Sequence, residues 1–224
     1  MAGVFNQEQK LLHHLVLHSN DVFSISLLEG QPGIALVLAQ YAKVKHKKPL
    51  MLVSDFLMDQ AFDHLDVNTP LDFSSGLCGI GWSVEFLLQC GYRKGNSLDI
   101  CEVIDQKMMA IHVLYIEDLS LETGLEGWLH YLLAHIQGTL ANGNAFTKEY
   151  LLEWYQKLLL IEQSQMRISE SFNQLKDLFM RMYHGMKWCY EFNLSAFVNP
   201  TINLNKNLLG LREGVAGYIE RHYL

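Results

Sequence analysis

Four stretches of the chain share one pattern of small and apolar positions. Glu29-Gly30-Gln31-Pro32-Gly33 runs into the unbroken apolar segment Ile34-Ala35-Leu36-Val37-Leu38-Ala39. Gly76-Leu77-Cys78-Gly79-Ile80-Gly81-Trp82 runs into Val84, Phe86, Leu87 and Leu88. Gly124-Leu125-Glu126-Gly127-Trp128 runs into Leu129, Tyr131, Leu132 and Leu133, and Gly210-Leu211-Arg212-Glu213-Gly214-Val215-Ala216-Gly217-Tyr218-Ile219 closes the chain. The leading glycines stand 76 − 30 = 46, 124 − 76 = 48 and 210 − 124 = 86 residues apart, so the last gap is close to two of the earlier ones. Such a period marks an internal repeat with one unit lacking its glycines. Each unit reads as a glycine loop, where positive φ or a close backbone approach is tolerated, feeding a helix apolar on nearly every face. Pro32 suits a first helical turn.

Between these units the pattern changes to a single apolar stripe at helical spacing. Residues 7–18 carry Leu11, Leu12, Leu15 and Val16, with His13, His14 and His18 read as ordinary helix-surface or partly packed side chains. Residues 50–65 repeat Leu50, Val53, Leu57, Ala61 and Leu65; residues 98–112 show Ile100, Val103, Ile104, Lys107 and Ile111. Thr147 caps a helix over 148–163 with Leu151, Trp154, Leu158 and Ile161, and 169–186 carries Phe172, Leu175, Phe179, Met182 and Tyr183. Ser74 or Ser75 is expected to cap the second glycine-led helix. Where another glycine loop is due, Gln163-Ser164-Gln165-Met166-Arg167-Ile168 is too short and polar, so one buried helix is expected to be missing. Residues 188–207 read as an irregular, asparagine-rich excursion, followed by a helix over 212–222. Strict alternation is absent, so no sheet is expected.

Alternating buried and half-buried helices at a fixed period predict an all-α, α/α toroid-like fold. It is an incomplete double layer of inner and outer helices in a single domain, 1–224. The incomplete side would expose apolar helix faces, so a homodimer or a covering protein partner is expected.

Half the residues are hydrophobic, and 24 acidic against 17 basic side chains give a formal charge of −7. That balance opposes a nucleic-acid partner, which calls for a basic face. Four dispersed cysteines without a CxxC read as reduced thiols in a cytoplasmic protein. No signal peptide and no membrane span are expected.

The four loops and their period resemble the lanthionine synthetase C-like family. Its members form a toroid of inner and outer helices, each inner helix introduced by a Gly-x-x-Gly loop. Against a full toroid of seven inner helices this chain resembles an abbreviated version. Catalytic members hold zinc through a cysteine in a Trp-Cys-Tyr-Gly loop and a Cys-His pair in a Gly-Leu-Cys-His-Gly loop. Here Trp188-Cys189-Tyr190 is followed by Glu191, and the frame Gly210-Leu211-Arg212-Glu213-Gly214 carries Arg212 and Glu213 at the Cys-His positions.

A catalytic zinc needs about three converging ligands. One cysteine beside an arginine and a glutamate does not supply them, so no catalytic residue, metal or cofactor is expected. Glu29, Glu126, Trp128, Arg212 and Glu213, all near glycine loops, are the candidate peptide-binding residues. Helix N-termini at these loops would favour an acidic group of the peptide. The expected function is a non-catalytic peptide-binding or scaffolding protein in a lanthipeptide-like modification system. The alternative is an enzyme: a peptide thioether cyclase with an altered site, or a glycoside hydrolase using paired carboxylates such as Glu29, Glu122, Glu126 and Glu213.

Overall fold

A computed structural model describes residues 6–164 and 166–224. Among them are nine α-helices and no strand: α1 Gln7–His18, α2 Gln31–Val44, α3 Pro49–Asp63, α4 Leu77–Gln89, α5 Ser97–Met109, α6 Leu125–Thr139, α7 Lys148–Gln163, α8 Glu170–Tyr183 and α9 Val215–Tyr223. Four are led by glycine loops, as the repeat predicts. Of these, α2, α4 and α6 each bury eleven residues, against two to five on α1, α3, α5, α7 and α8. Helices α2, α4 and α6 are therefore the buried helices of their units, α9 buries five residues, and the others each bury one stripe.

The residues gather into two compact units. One joins the described residues up to Thr69 with Phe192–Leu224; the other is Pro70–Glu191. In the first, α2 packs on α3, and α9 packs on both α1 and α2. The last helix of the chain thus lies beside the first two. In the second, α4 packs on α5 and α6, and α8 packs on α6 and α7.

All four loops have one geometry. The helix N-caps are Gly30, Gly76, Gly124 and Gly214, all with extended backbone and φ between −143° and −100°. In each, the next N–H donates to the carbonyl seven residues back: Gln31 to Ser24 at 2.9 Å, Leu77 to Pro70 at 2.9 Å, Leu125 to Asp118 at 3.0 Å, Val215 to Leu208 at 2.8 Å. The loop folds so closely over the first turn that a Cβ on Gly30, Gly76 or Gly124 would overlap the Ser24, Pro70 or Asp118 carbonyl. Close approach, not positive φ, is what these glycines serve. Three residues on, a Cβ at Gly33, Gly127 or Gly217 would overlap the carbonyl of Leu27, Leu121 or Leu211.

Three sequence expectations change. The fourth unit is in register at Gly214 and Gly217, not at Gly210, which lies four residues before the N-cap. Neither Ser74 nor Ser75 caps α4; Gly76 does so without a side-chain bond, and the Ser74 N–H donates to Glu122 O at 3.0 Å. The inward face of α5 is Cys101, Ile104, Asp105 and Met108, while Val103 is 64% exposed. The Thr147 cap forms as expected, its hydroxyl accepting from Tyr150 N at 3.2 Å. Between α7 and α8 the described residues 164 and 166–169 make no helix; Gln165 lies outside the described residues.

Candidate functional site

Within each unit two loops interlock, and the two pairs share a backbone bond and a glycine–side-chain contact. Arg212 N donates to Leu28 O at 2.9 Å, as Ser74 N does to Glu122 O at 3.0 Å. All four residues stand two positions before an N-cap glycine. A Cβ on Gly33 would meet the Leu211 side chain, as one on Gly127 would meet Phe73. Gly210 completes the first pair, where a Cβ would lie 2.6 Å from Glu29 Cα. So the fourth loop packs on the first, and the second on the third.

The first pair borders a groove of about 740 Å³. Helix α1 lends it His14 and His18, four residues apart on one face, with ring centroids 4.6 Å apart. His14 Nε2 bonds Lys206 O at 2.8 Å, and His18 Nδ1 bonds Asp21 Oδ2 at 3.2 Å. Asp21, Glu29 and Glu213 line the groove against one lysine, Lys206. Burial raises the Glu29 carboxyl above its ordinary range, the positive charge of Arg212 opposes this, and the negative charge of Glu213 adds to it. Three carboxylates suit a basic group, the opposite of the acidic one that helix N-termini suggested.

A second groove of about 390 Å³ shares Leu208 and Glu213 with the first. The asparagine-rich excursion lines it through Asn199, Asn203 and Asn205. Asn199 donates from Nδ2 to Glu213 Oε1 at 3.1 Å, and its N–H donates to Arg212 O at 2.8 Å. Glu29, Arg212 and Glu213 are thereby brought together, with Glu213 shared by both grooves.

Glu126 and Trp128 lie in the other unit, each only 6% exposed. Glu126 accepts from Ser169 Oγ at 2.8 Å, tying the start of α6 to the start of α8. The Trp188–Tyr190 segment is also fixed there. Tyr190 N donates to Gln137 Oε1 at 2.6 Å, Gln137 Nε2 donates back to Tyr190 O at 3.0 Å, and Trp82 Nε1 donates to Tyr190 Oη at 2.7 Å. Cys189 stays exposed, its thiol 3.9 Å from Tyr190 O.

With the register fixed, the two positions before each N-cap glycine are Leu28-Glu29, Ser74-Ser75, Glu122-Thr123 and Arg212-Glu213. No loop offers a cysteine or a histidine there.

One cluster escaped the sequence reading. On α4, Glu85 and Gln89 stand four residues apart; so do Cys101 and Asp105 on α5, and Tyr131 and His135 on α6. Each pair shares a helix face, and the three faces converge. His135 bonds Glu85 Oε1 through Nδ1 at 2.6 Å and Asp105 Oδ2 through Nε2 at 2.8 Å. Tyr131 Oη donates to Asp105 Oδ1 at 2.6 Å, and Gln89 Nε2 donates to Glu85 Oε2 at 2.6 Å. Burial opposes charge on His135, but Asp105 and Glu85 outweigh it and hold the imidazole up to about 9, so this bonded arrangement contains an imidazolium. The signal lay in polar pairs at i, i+4 on otherwise apolar helices, which apolar periodicity passes over. No protein-family model, curated protein or solved structure matches this chain, and its site residues rest on their geometry alone.

Proposed function

We propose that this chain binds a peptide without modifying it, as a non-catalytic subunit of a lanthipeptide-like modification system. The carrying observation is the pair of adjoining grooves around Glu213. One is lined by carboxylates fit for a basic side chain. The other is lined by asparagines, whose amides both donate to and accept from a peptide backbone. The residues at the family's Cys-His positions, Arg212 and Glu213, supply no thiolate and no imidazole.

The test is fluorescence anisotropy with two labelled peptides of matched length, rich in serine and cysteine, one bearing lysine and arginine and the other aspartate and glutamate. The expected result is saturable binding of the basic peptide, weakened in Glu213→Gln. Binding of neither peptide would overturn the reading. A second reading rests on one observation: Glu29, its carboxyl raised, and Glu213 occupy one groove, as a general acid and its partner would. Release of chromophore from an aryl glycoside, abolished in Glu29→Gln, would replace the peptide-binding reading with it.

A further inference from the structure

We propose that Glu85, Cys101 and His135 form a zinc site with three protein ligands joining α4, α5 and α6, separate from the glycine loops. Among the described residues these three each bring one donor atom (a carboxylate oxygen, a thiol sulfur and a ring nitrogen) within 4.8 Å of the others. All three residues are fully buried. Oxygen, nitrogen and a single thiolate are a donor set that zinc takes.

The surroundings have the form of an outer shell. Metal-bound histidines commonly donate their other ring N–H to a carboxylate, which fixes ring and tautomer. Here Asp105 Oδ2 accepts from His135 Nε2 at 2.8 Å, which leaves Nδ1 for the ion. Asp105 is itself held by Tyr131 Oη at 2.6 Å, and the outer oxygen of Glu85 by Gln89 Nε2 at 2.6 Å. Two glycines make the room. A Cβ on Gly138 would overlap Glu85 Oε2, and one on Gly81 would overlap the Tyr131 ring.

Zinc would take the place of two protons, the thiol proton of Cys101 and the Nδ1 proton of His135, both released to solvent. Two positive charges replace two, so the buried cluster gains no net charge. Nδ1 and Glu85 Oε1, now 2.6 Å apart, would spread to about 3.3 Å, the separation of two donors on a tetrahedral zinc.

The test is elemental analysis of full-length protein purified without chelator, with cobalt titration of the chelator-treated wild type. The expected result is about one zinc per chain and a thiolate-to-cobalt charge-transfer band. Both should be lost in Cys101→Ala and kept in Cys189→Ala. A wild type that is folded by circular dichroism, carries no zinc and gives no band with cobalt would overturn the proposal, whether or not Cys101→Ala folds. So would a band indifferent to Cys101→Ala. Zinc lost on substituting Cys189 instead would refute the non-catalytic reading above, so the two failures are distinct.

Discussion

The hydroxyl of Tyr190 stands 2.7 Å from Nδ1 of His130. The same oxygen accepts the Trp82 indole N–H at 2.7 Å, and a neutral His130 accepting through Nδ1 gives the Tyr190 proton a partner. Burial agrees, holding the His130 imidazole down to about 3. The unfolded chain protonates this histidine near pH 6.5, so below that pH the unfolded state binds the extra proton first. The stabilisation from neutral His130 is full above about pH 6.5 and is lost progressively as pH falls towards 3. Urea denaturation across that range should show stability falling with acid. His130→Phe, which keeps a ring against Phe73, should flatten the slope. An unchanged slope would refute the neutral assignment. Tyr190→Phe should cost about 1–3 kcal/mol at neutral pH, because the buried Trp82 N–H loses this acceptor.

The second prediction concerns the repeated loop contact. Gly33 and Gly127 are pressed in the same way by a carbonyl of their own loop and a side chain of the interlocked one. Gly33→Ala and Gly127→Ala should therefore destabilise alike, by about 1–3 kcal/mol or more, as overpacking does. Gly185 offers a contrast: its φ is +67°, yet a Cβ there would meet nothing within 4 Å. Gly185→Ala pays only the left-handed backbone penalty, about 1–2 kcal/mol. Thermal melts of the three variants test this. If Gly185→Ala were the most damaging, conformation rather than close approach would govern these loops.

Local signals and non-local ones account for what could be read beforehand. The period, the buried helices and the Thr147 cap are local, because glycine spacing, continuous apolar runs and a capping hydroxyl act within a few residues. The register of the fourth loop was not legible, because Gly210, Gly214 and Gly217 all fit a two-glycine frame. Only the Val215-to-Leu208 bond and the extended Gly214 select among them. Helix α5 misled for a different reason. Ile100, Val103 and Ile111 drew the stripe outward, while Cys101 and Asp105 face in because their partners are on α4 and α6. The interlocking of the first loop with the fourth, which gathers Glu29 with Glu213, joins residues far apart in the chain and leaves no local trace.

The third prediction concerns charge in the groove lined by Asp21, Glu29 and Glu213. If Asp21, Glu29 and Glu213 receive a basic side chain, Glu29→Gln with Glu213→Gln should weaken the lysine-and-arginine peptide by about tenfold, or 1.4 kcal/mol. The effect should shrink as salt is raised, because the groove is open and screened. Anisotropy titrations at two ionic strengths check both points. Equal affinity of wild type and double variant would place the basic peptide elsewhere.

The fourth prediction follows from Glu220. This side chain is 5% exposed on α9, where Oε1 accepts from Ser195 Oγ at 2.9 Å and from Gln40 Nε2 at 3.4 Å, while Oε2 has no hydrogen-bond partner among the described residues. Burial raises its carboxyl above the ordinary range, and the bonds from Ser195 and Gln40 only partly offset this. A carboxyl raised on folding is protonated more readily in the folded state, so it penalises the fold above its folded pKa and is relieved as pH falls through it. Glu220→Gln keeps the shape and a carbonyl oxygen for Ser195 and Gln40, and removes the buried charge. It should stabilise the protein at pH 7 by about 1 kcal/mol, with the gain vanishing in acid as the wild-type carboxyl protonates. Chemical denaturation of both proteins at neutral and acid pH measures this. A variant less stable than wild type at pH 7 would mean that the Glu220 charge is compensated, and the assignment of its burial as a cost would fall.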